Sequence, residues 1–168
     1  MIGGSTAEKE LAELGPWPNP APPISREERL ARIAKAQALM TTDALIIGAG
    51  ASLRYFAGVG WNATERLVAM LLPKSGDPVM ICPRFEEGSL VASLGIEAPL
   101  RLWEEHENPS ELTVQVLREW GATSLAIDPA LAFAMFDGLR LAAPDMATPS
   151  AAPVVDGCRS IKSPAELA

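Results

Sequence analysis

The sequence has few of the residues that build metal centres and disulfide frameworks. Its 168 residues include two cysteines and a single histidine. Cys82 and Cys158 stand far apart with no metal-type spacing, which is typical of buried thiols in a reducing compartment. His106 alone cannot form a histidine-rich site. We therefore expect neither a metal ion nor another cofactor to bind within these residues.

Clusters of basic residues and long apolar runs are also absent from the sequence. Fourteen lysines and arginines against 21 acidic residues give a formal net charge of −7. Nucleic acids and anionic membranes require clustered basic side chains, so we expect neither as a partner. No apolar run approaches the length of a membrane-spanning helix, and residues 1–10 lack the pattern of a signal peptide. These features predict a cytoplasmic protein.

Prolines set the N-terminal stretch apart from the rest of the chain. Much of it cannot be regular helix or central strand because of the prolines at Pro16, Pro18, Pro20, Pro22 and Pro23. We interpret residues 1–24 as a proline-rich arm. It is either disordered or packed, through its apolar side chains, on its own domain or on a neighbouring subunit.

Helix and strand signals alternate after the arm. The capping box Ser25-Arg26-Glu27-Glu28 predicts an amphipathic helix to about Met40. Short apolar runs predict strands at 44–47, 67–72, 78–82, 99–103, 125–127 and 154–155. Capping and glycine signals predict further helices at 85–94, 108–120 and 128–141.

The stretch from Leu53 to Pro73 combines aromatic residues, glycines and charges with one apolar strand. We interpret its first part as a loop that presents polar groups rigidly, as a binding or assembly surface requires. The alternative is that Tyr55 and Phe56 fill the core and the charges are solvated. The preceding Gly48-Ala49-Gly50 begins like a dinucleotide fingerprint. Leu53 stands where the third glycine belongs, and this disfavours nucleotide binding.

Acidic residues surround the histidine in Glu104-Glu105-His106-Glu107. Such a cluster is typical of acid/base chemistry, but the segment has no nucleophile or metal beside it, which favours a solvated turn. The end of the chain carries a different signal. Ser163, Pro164 and Glu166 are the N-cap, N1 and N3 residues of a helix of which the sequence contains only the first turn or two. We expect residues 159–168 to be a linker and the start of a catalytic domain outside this chain.

The signals from residue 25 to 168 resemble the N-terminal, non-catalytic domain shared by creatinase, prolidase and aminopeptidase P, and most of all that of the bacterial Xaa-Pro dipeptidases. The matching segments are Arg54-Tyr55-Phe56-Ala57-Gly58 before an apolar strand and the closing Arg159-Ser160-Ile161-Lys162-Ser163-Pro164-Ala165-Glu166. In this family the second segment marks the entry to the catalytic domain. The resemblance implies an α/β fold over residues 25–158, in three layers, with a mixed sheet of about five to six strands flanked by helices.

The resemblance also implies that catalysis belongs to a separate domain. In these proteins the catalytic domain holds two divalent metal ions, such as Mn, Co or Zn, and a water between them attacks the bond that precedes proline. The present chain would then be inactive alone, form a homodimer, contact its own catalytic domain and shape the partner subunit's active site around a proline-containing peptide. Two alternatives stay open: a creatinase-like hydrolase of C–N bonds, and an independent module that binds a small carboxylate.

One family motif can be transferred residue by residue. In creatinases, a loop after the glycine that corresponds to Gly58 ends in Phe-Gly-Arg and reaches the partner's substrate. Thr64-Glu65-Arg66 stands at those positions, so the arginine is kept and the aromatic residue is missing. Arg66 can hold a carboxylate by two hydrogen bonds, whereas creatine is put in doubt. Residues 83–87 and 103–107 also resemble segments of the bacterial dipeptidases. The candidate substrate-binding or cross-subunit residues are Arg66, Arg54, Tyr55, Trp61, Arg84, Trp103 and His106.

Overall fold

The structure is a computed structural model, and it describes residues 4–15 and 22–167. The described residues from 24 to 161 form one compact unit, and the described residues before 24 and after 161 form another. The arm contains a helix, α1 (Ala7–Glu13), which begins where the Thr6 hydroxyl accepts a hydrogen bond from the Lys9 amide. The arm is therefore partly helical, while its prolines at 16, 18 and 20 lie outside the described residues. Among the described residues, no helix combines the length and the apolar character needed to cross a membrane.

A mixed five-stranded sheet forms the centre of the larger unit. Its strands are β1 (Ala44–Gly48), β2 (Ala69–Pro73), β3 (Val79–Pro83), β4 (Leu100–Trp103) and β5 (Leu125–Ile127). Their order across the sheet is β4-β3-β2-β1-β5. Strand β2 runs antiparallel to β1 and β3, whereas β4 and β5 run parallel to their neighbours. The carboxyl ends of β1, β3, β4 and β5 thus meet at one edge, where β2 begins.

Helices cover both faces of this sheet. They are α2 (Arg26–Leu39), α3 (Ala51–Ala57), α4 (Glu87–Ser93), α5 (Pro109–Glu119), α6 (Phe133–Ala142) and α7 (Ala152–Arg159), and a short helix α8 (Pro164–Leu167) belongs to the other unit. Alternate residues of β1 enter different cores: Leu45 and Ile47 pack with residues of α2, α3, α4 and α7, whereas Ala44 and Ile46 pack with residues of α5 and α6. This alternation follows from strand geometry and gives three layers. The predicted fold class is confirmed.

Two of the predicted caps are present as hydrogen bonds. The Ser25 hydroxyl accepts from the Glu28 amide at 3.1 Å and starts α2. The Asn108 side chain accepts from the Ser110 amide at 2.9 Å and starts α5, with Pro109 at its first position. Both side chains satisfy a backbone donor that the first turn of a helix leaves free.

Three predictions about local structure are wrong. The strand expected at 154–155 is part of α7, whose residues Val154 and Val155 are both buried in the core. The helix expected from residue 128 begins at Phe133, because Asp128 instead accepts a hydrogen bond from the Ala130 amide and closes a turn. The third correction concerns Arg54 and Tyr55, which lie in helix α3 and not in a loop.

The end of α3 explains the Arg-Tyr-Phe-Ala-Gly segment. Gly58 has a φ of +87°, a left-handed conformation that ends the helix, and a Cβ there would lie 3.0 Å from the Gly95 nitrogen. The last carbonyls of α3 accept hydrogen bonds from guanidinium groups on α2: Arg29 bonds the Arg54 oxygen at 2.8 Å, and Arg32 bonds the Tyr55 oxygen at 2.9 Å. Positive side chains at a helix C-terminus are favourable there.

Candidate functional site

A groove of about 650 Å³ lies at the edge of the sheet where β1 and β3 end and β2 begins. Trp61 and Arg66 line it from the segment that precedes β2, and Phe85 and Glu86 line it from a short 3-10 helix (Arg84–Glu86) that follows β3. Ligand sites commonly lie outside the carboxyl ends of strands, because successive loops converge there. This edge is therefore our candidate site.

Arg66 is the most heavily engaged side chain at this edge. Its Nε donates to Glu105 Oε1 at 2.8 Å and its Nη2 donates to Glu105 Oε2 at 3.2 Å, which makes a two-bond contact between guanidinium and carboxylate. Its Nη1 pairs with the Glu65 carboxylate. The guanidinium carbon lies 5.4 Å from the centre of the Phe85 ring, within the range of a cation–π contact.

The two-bond contact changes the titration of both partners. Hydrogen bonding to Glu105 raises the pKa of the Arg66 guanidinium above its ordinary value. Hydrogen bonding to Arg66 lowers the pKa of the Glu105 carboxyl. Both shifts favour the charged forms, so the pair is ionised at neutral pH.

Arg84 and the acidic turn continue this edge beyond the groove. Arg84 Nε donates to Glu104 Oε1 at 2.5 Å. The neighbouring residue, Glu105, forms a similar ion pair with Arg66. The turn itself is closed by its own contacts, since the Glu104 amide donates to the Glu107 carboxylate at 2.7 Å. His106 lies exposed in this turn. Residues of three separate segments, before β2, after β3 and after β4, are thus joined by ion pairs.

The two tryptophans predicted for the site have different environments. Trp61 is half-buried and lines the groove. Trp103 is only 5% exposed, and its indole Nε1 donates to the Leu67 carbonyl at 3.1 Å. Because Leu67 directly follows Arg66, this bond anchors the backbone that carries the arginine. Trp103 therefore supports the site from within the core.

Arg54 and Tyr55 are not among the described residues that line the groove. The Tyr55 hydroxyl donates to the Cys158 carbonyl at 2.9 Å and so connects α3 to α7, while the Arg32 guanidinium lies 4.0 Å from the centre of the Tyr55 ring. These contacts give Tyr55 a structural role. Arg54 is exposed on the same helix.

Sequence reasoning did not identify Phe85 or Glu105 as partners of Arg66. The sequence predicts Phe85 at the start of a helix, and it lies in the 3-10 helix that precedes α4. The sequence predicts a solvated turn for Glu105, without a partner in another segment. The structure brings Glu105 to Arg66 across 39 positions of the sequence, through the pairing of β3 with β2 and β4. A run of acidic residues directly after an edge strand was the available signal.

Comparisons with known proteins agree with this architecture. A sequence profile of the Creatinase/Prolidase N-terminal domain matches residues 26–161. The chain belongs to this family.

Relatives of this creatinase/prolidase N-terminal domain include dipeptidases and prolidases. The probable dipeptidase PepE of Mycobacterium tuberculosis is 36% identical over 91 residues, which cover 53% of this chain and 24% of the relative. The crystal structure of dipeptidase PepE from Mycobacterium ulcerans is 28% identical, with a TM-score of 0.70 over 84% of this chain and 38% of that one. A recombinant prolidase from Thermococcus sibiricus is 25% identical, with a TM-score of 0.73 over 83% and 39% of the two chains.

A further solved structure shows the fold alone. The creatinase/prolidase N-terminal domain of an X-Pro dipeptidase from Streptococcus pyogenes is 21% identical, with a TM-score of 0.60, and the match covers 77% of this chain and 95% of that one. The present chain thus corresponds to one domain in that structure, and it spans about a quarter of the length of the curated relatives that it matches.

Metal ligands are not grouped in the part of the chain that the structure describes. Residues 4–15 and 22–167 contain no cluster of three or more histidine, cysteine or acidic side chains that could hold an ion. These residues therefore do not fit the metal centre that the family implies, and we assign no chemical step to a metal here.

A buried carboxyl group lies apart from the groove, at the end of β5. Burial raises the pKa of Asp128, against the opposing effects of the Ala130 amide, the Ser52 hydroxyl and the Arg159 guanidinium. Arg159 Nη1 also donates to the Ser52 hydroxyl at 3.3 Å, so the end of α7 is attached to α3 beside this carboxyl. These contacts stabilise the end of α7. Burial nevertheless leaves the ionised form of the Asp128 carboxyl poorly solvated.

We expect Asp128→Asn to change how stability depends on pH. Between the unfolded-state pKa of about 3.8 and the higher folded-state pKa, the folded protein keeps a proton that the unfolded chain loses. The wild-type free energy of unfolding therefore falls with rising pH in this window, by a contribution that the asparagine variant lacks. Urea denaturation of both proteins from pH 3.5 to 7 measures the difference.

The free energy of unfolding of Asp128→Asn minus that of the wild type should increase as the pH rises, and then level off. Asp77→Asn is the matched control, because Asp77 is exposed. A difference that stays constant over this pH range would contradict the assignment to Asp128.

Proposed function

We propose that this chain is the non-catalytic N-terminal domain of a dipeptidase that cleaves Xaa-Pro peptides, and that the catalytic groups lie outside these residues. Three observations support this: the family match over residues 26–161, the dipeptidase and prolidase names of the relatives, and the fraction of their length that the chain covers. On this proposal the other domain supplies two divalent metal ions, such as Mn, Co or Zn, and the protein is cytoplasmic.

The two-bond contact between Arg66 and Glu105 indicates which residue of this chain would bind the substrate. In the structure its guanidinium binds a carboxylate, that of Glu105, through Nε and Nη2. A dipeptide ends in a carboxylate of the same shape and charge, which the same guanidinium atoms can bind. We therefore propose that Arg66 recognises the C-terminal carboxylate of the substrate, in the active site of the partner subunit of a homodimer.

The groove beside Arg66 suits a contact with another domain or subunit. Phe85 is an apolar side chain that is 59% exposed, and it lies directly below the guanidinium. Burial of such a side chain against a catalytic domain would exclude water from the carboxylate contact and so strengthen it. We propose that this edge of the sheet shapes and closes the active site.

A creatinase-like hydrolase of C–N bonds is the second candidate function, and Phe85 favours it. Thr64 leaves the family's aromatic position vacant in the loop, but the Phe85 ring brings an aromatic group to Arg66 from a different element. Activity of the parent protein on Xaa-Pro dipeptides and on creatine separates the two candidates. Tight binding of a small carboxylate by the isolated chain, without self-association, would instead favour an independent binding module.

Arg66→Ala in the parent protein is the direct test of the first candidate. We expect kcat/KM for glycyl-proline to fall roughly tenfold, because a charge-assisted contact to the substrate carboxylate is lost. Metal content, measured by elemental analysis, should not change, since the ligands lie elsewhere. The isolated 168-residue chain should not cleave the dipeptide.

Arg101→Ala is the matched control for this experiment. Arg101 lies on β4 and forms a comparable exposed ion pair with Glu119. Its replacement should leave the kinetics unchanged. Equal kinetics for Arg66→Ala and the unmodified protein would reduce Arg66 to an ordinary solvated charge.

A further inference from the structure

Glu105 occupies the hydrogen-bonding groups of Arg66 that a ligand carboxylate would need. We infer that Glu105 is an internal competitor, which holds the Arg66 guanidinium until a ligand carboxylate displaces it. The inference rests on the proposed function, because it concerns how the same arginine is made available to substrate. It adds a residue that determines affinity and selects for ligands with a free carboxylate.

The donors of a guanidinium limit what else Arg66 can bind. A guanidinium presents two edges to a planar carboxylate, one through Nε and one Nη atom and one through both Nη atoms. Glu105 occupies the Nε and Nη2 edge, and Glu65 contacts Nη1. Both edges are thus engaged by carboxylates of the protein. A substrate carboxylate can form a two-bond contact only after one of them has left.

Exposure allows both carboxylates to leave, since the Glu65 side chain is 76% exposed. Glu105 is the one that a ligand would replace, because it alone holds an edge of the guanidinium through two hydrogen bonds, the contact that a ligand carboxylate would reproduce. The Glu105 side chain is 56% exposed and that of Arg66 is 39% exposed, so water solvates both charges and weakens the pair. The two residues belong to different segments, one before β2 and one after β4. Separation therefore requires only rotation of side chains, and the sheet can stay as it is.

The surrounding contacts keep both residues in place when the pair opens. The turn that carries Glu105 is closed by two bonds that do not involve it: the Glu104 amide to the Glu107 carboxylate at 2.7 Å, and the Glu107 amide to the Glu104 carbonyl at 2.8 Å. On the other side, the indole of Trp103 holds the Leu67 carbonyl at 3.1 Å, directly after Arg66. The face of the Phe85 ring lies against the Arg66 guanidinium. Arg66 thus keeps its position when Glu105 is replaced.

Competition with Glu105 for Arg66 favours ligands that carry a negatively charged carboxylate. A free carboxylate can take the place of the Glu105 carboxylate with the same two hydrogen bonds and the same charge. An amide has one acceptor oxygen and no charge, so it cannot. Removal of the Glu105 charge should therefore help a dipeptide and leave its C-terminal amide unaffected.

The test compares Glu105→Gln with the unmodified parent protein on glycyl-proline and glycyl-prolinamide. We expect KM for glycyl-proline to fall about two- to fivefold, the range that corresponds to an exposed ion pair, with kcat unchanged. KM for the amide should not change. The advantage of the variant should shrink in 0.5 M KCl, because salt screens the pair that the variant lacks.

Glu119→Gln is the matched control and should leave KM unchanged, since Glu119 forms an exposed ion pair with Arg101 away from the groove. An unchanged or higher KM in Glu105→Gln would overturn the inference, and a higher KM would mean that Glu105 orients Arg66. If Arg66→Ala changes KM while Glu105→Gln does not, the proposed function stands and the competition is wrong.

If the unmodified parent hydrolyses neither compound, the proposed function is wrong and the competition is decided by binding. The probe is then N-acetylproline, titrated into the 168-residue chain, with the Nε–H resonance of Arg66 followed by NMR. Tighter binding by Glu105→Gln than by the wild type would support the competition. Equal affinities, or no binding by either chain, would overturn it.

Discussion

Phe56→Ala is expected to lower the free energy of unfolding of the chain by about 3–5 kcal/mol. Phe56 is fully buried, with an exposed fraction of 0%, and it belongs to the core between the sheet and α3. Its ring also meets the Tyr55 ring edge-on, with 4.8 Å between their centres. Alanine removes the buried ring and leaves a cavity that the surrounding strands cannot fill by small movements.

Phe85→Ala is the matched control for this prediction. Its ring is largely exposed, so its loss should change the free energy of unfolding by less than about 1 kcal/mol. Guanidinium denaturation of both variants and the wild type, followed by circular dichroism, gives the three values. A loss below about 1 kcal/mol for Phe56→Ala would contradict its place in the core.

The sequence predicts the fold correctly where local signals decide the secondary structure. Local signals located most elements, because caps such as Ser25 and Asn108 act within one turn of a helix. They failed where tertiary contacts decide the outcome. Val154 and Val155 are residues with strand propensity, yet they lie in a helix whose buried face packs in the core with residues of α2.

The site was less predictable than the fold for a related reason. The family resemblance predicts Arg66 as a site residue from its place in a sequence segment, whereas the partners of Arg66 depend on the order of strands across the sheet. Strand β3 pairs with β2 on one side and with β4 on the other, and this brings Glu105 and Phe85 to Arg66. Composition and spacing do not encode that order. The roles of the predicted site residues in binding stay predictions.

Trp103→Ala is expected to lower the free energy of unfolding by about 3–5 kcal/mol. The indole is 5% exposed and packs with residues of β2, α5 and α6, so its removal leaves a large cavity. The variant also loses the hydrogen bond from Nε1 to the Leu67 carbonyl, which is then buried without that partner. Trp103→Phe keeps a buried aromatic ring but loses the hydrogen bond and part of the indole volume, so we expect a smaller cost than for Trp103→Ala, of about 1–3 kcal/mol.

Trp61→Ala provides the matched indole control, because Trp61 is half-buried at the groove and should cost less stability than Trp103. The same denaturation experiment ranks the three variants. A larger loss for Trp61 than for Trp103 would contradict this assignment. If the ranking holds, Trp103 and Glu105 act on one short segment in two ways: the indole fixes the backbone after Arg66, and the carboxylate holds its guanidinium. The end of β4 then controls the position of Arg66, and the turn that follows β4 controls its availability to a ligand.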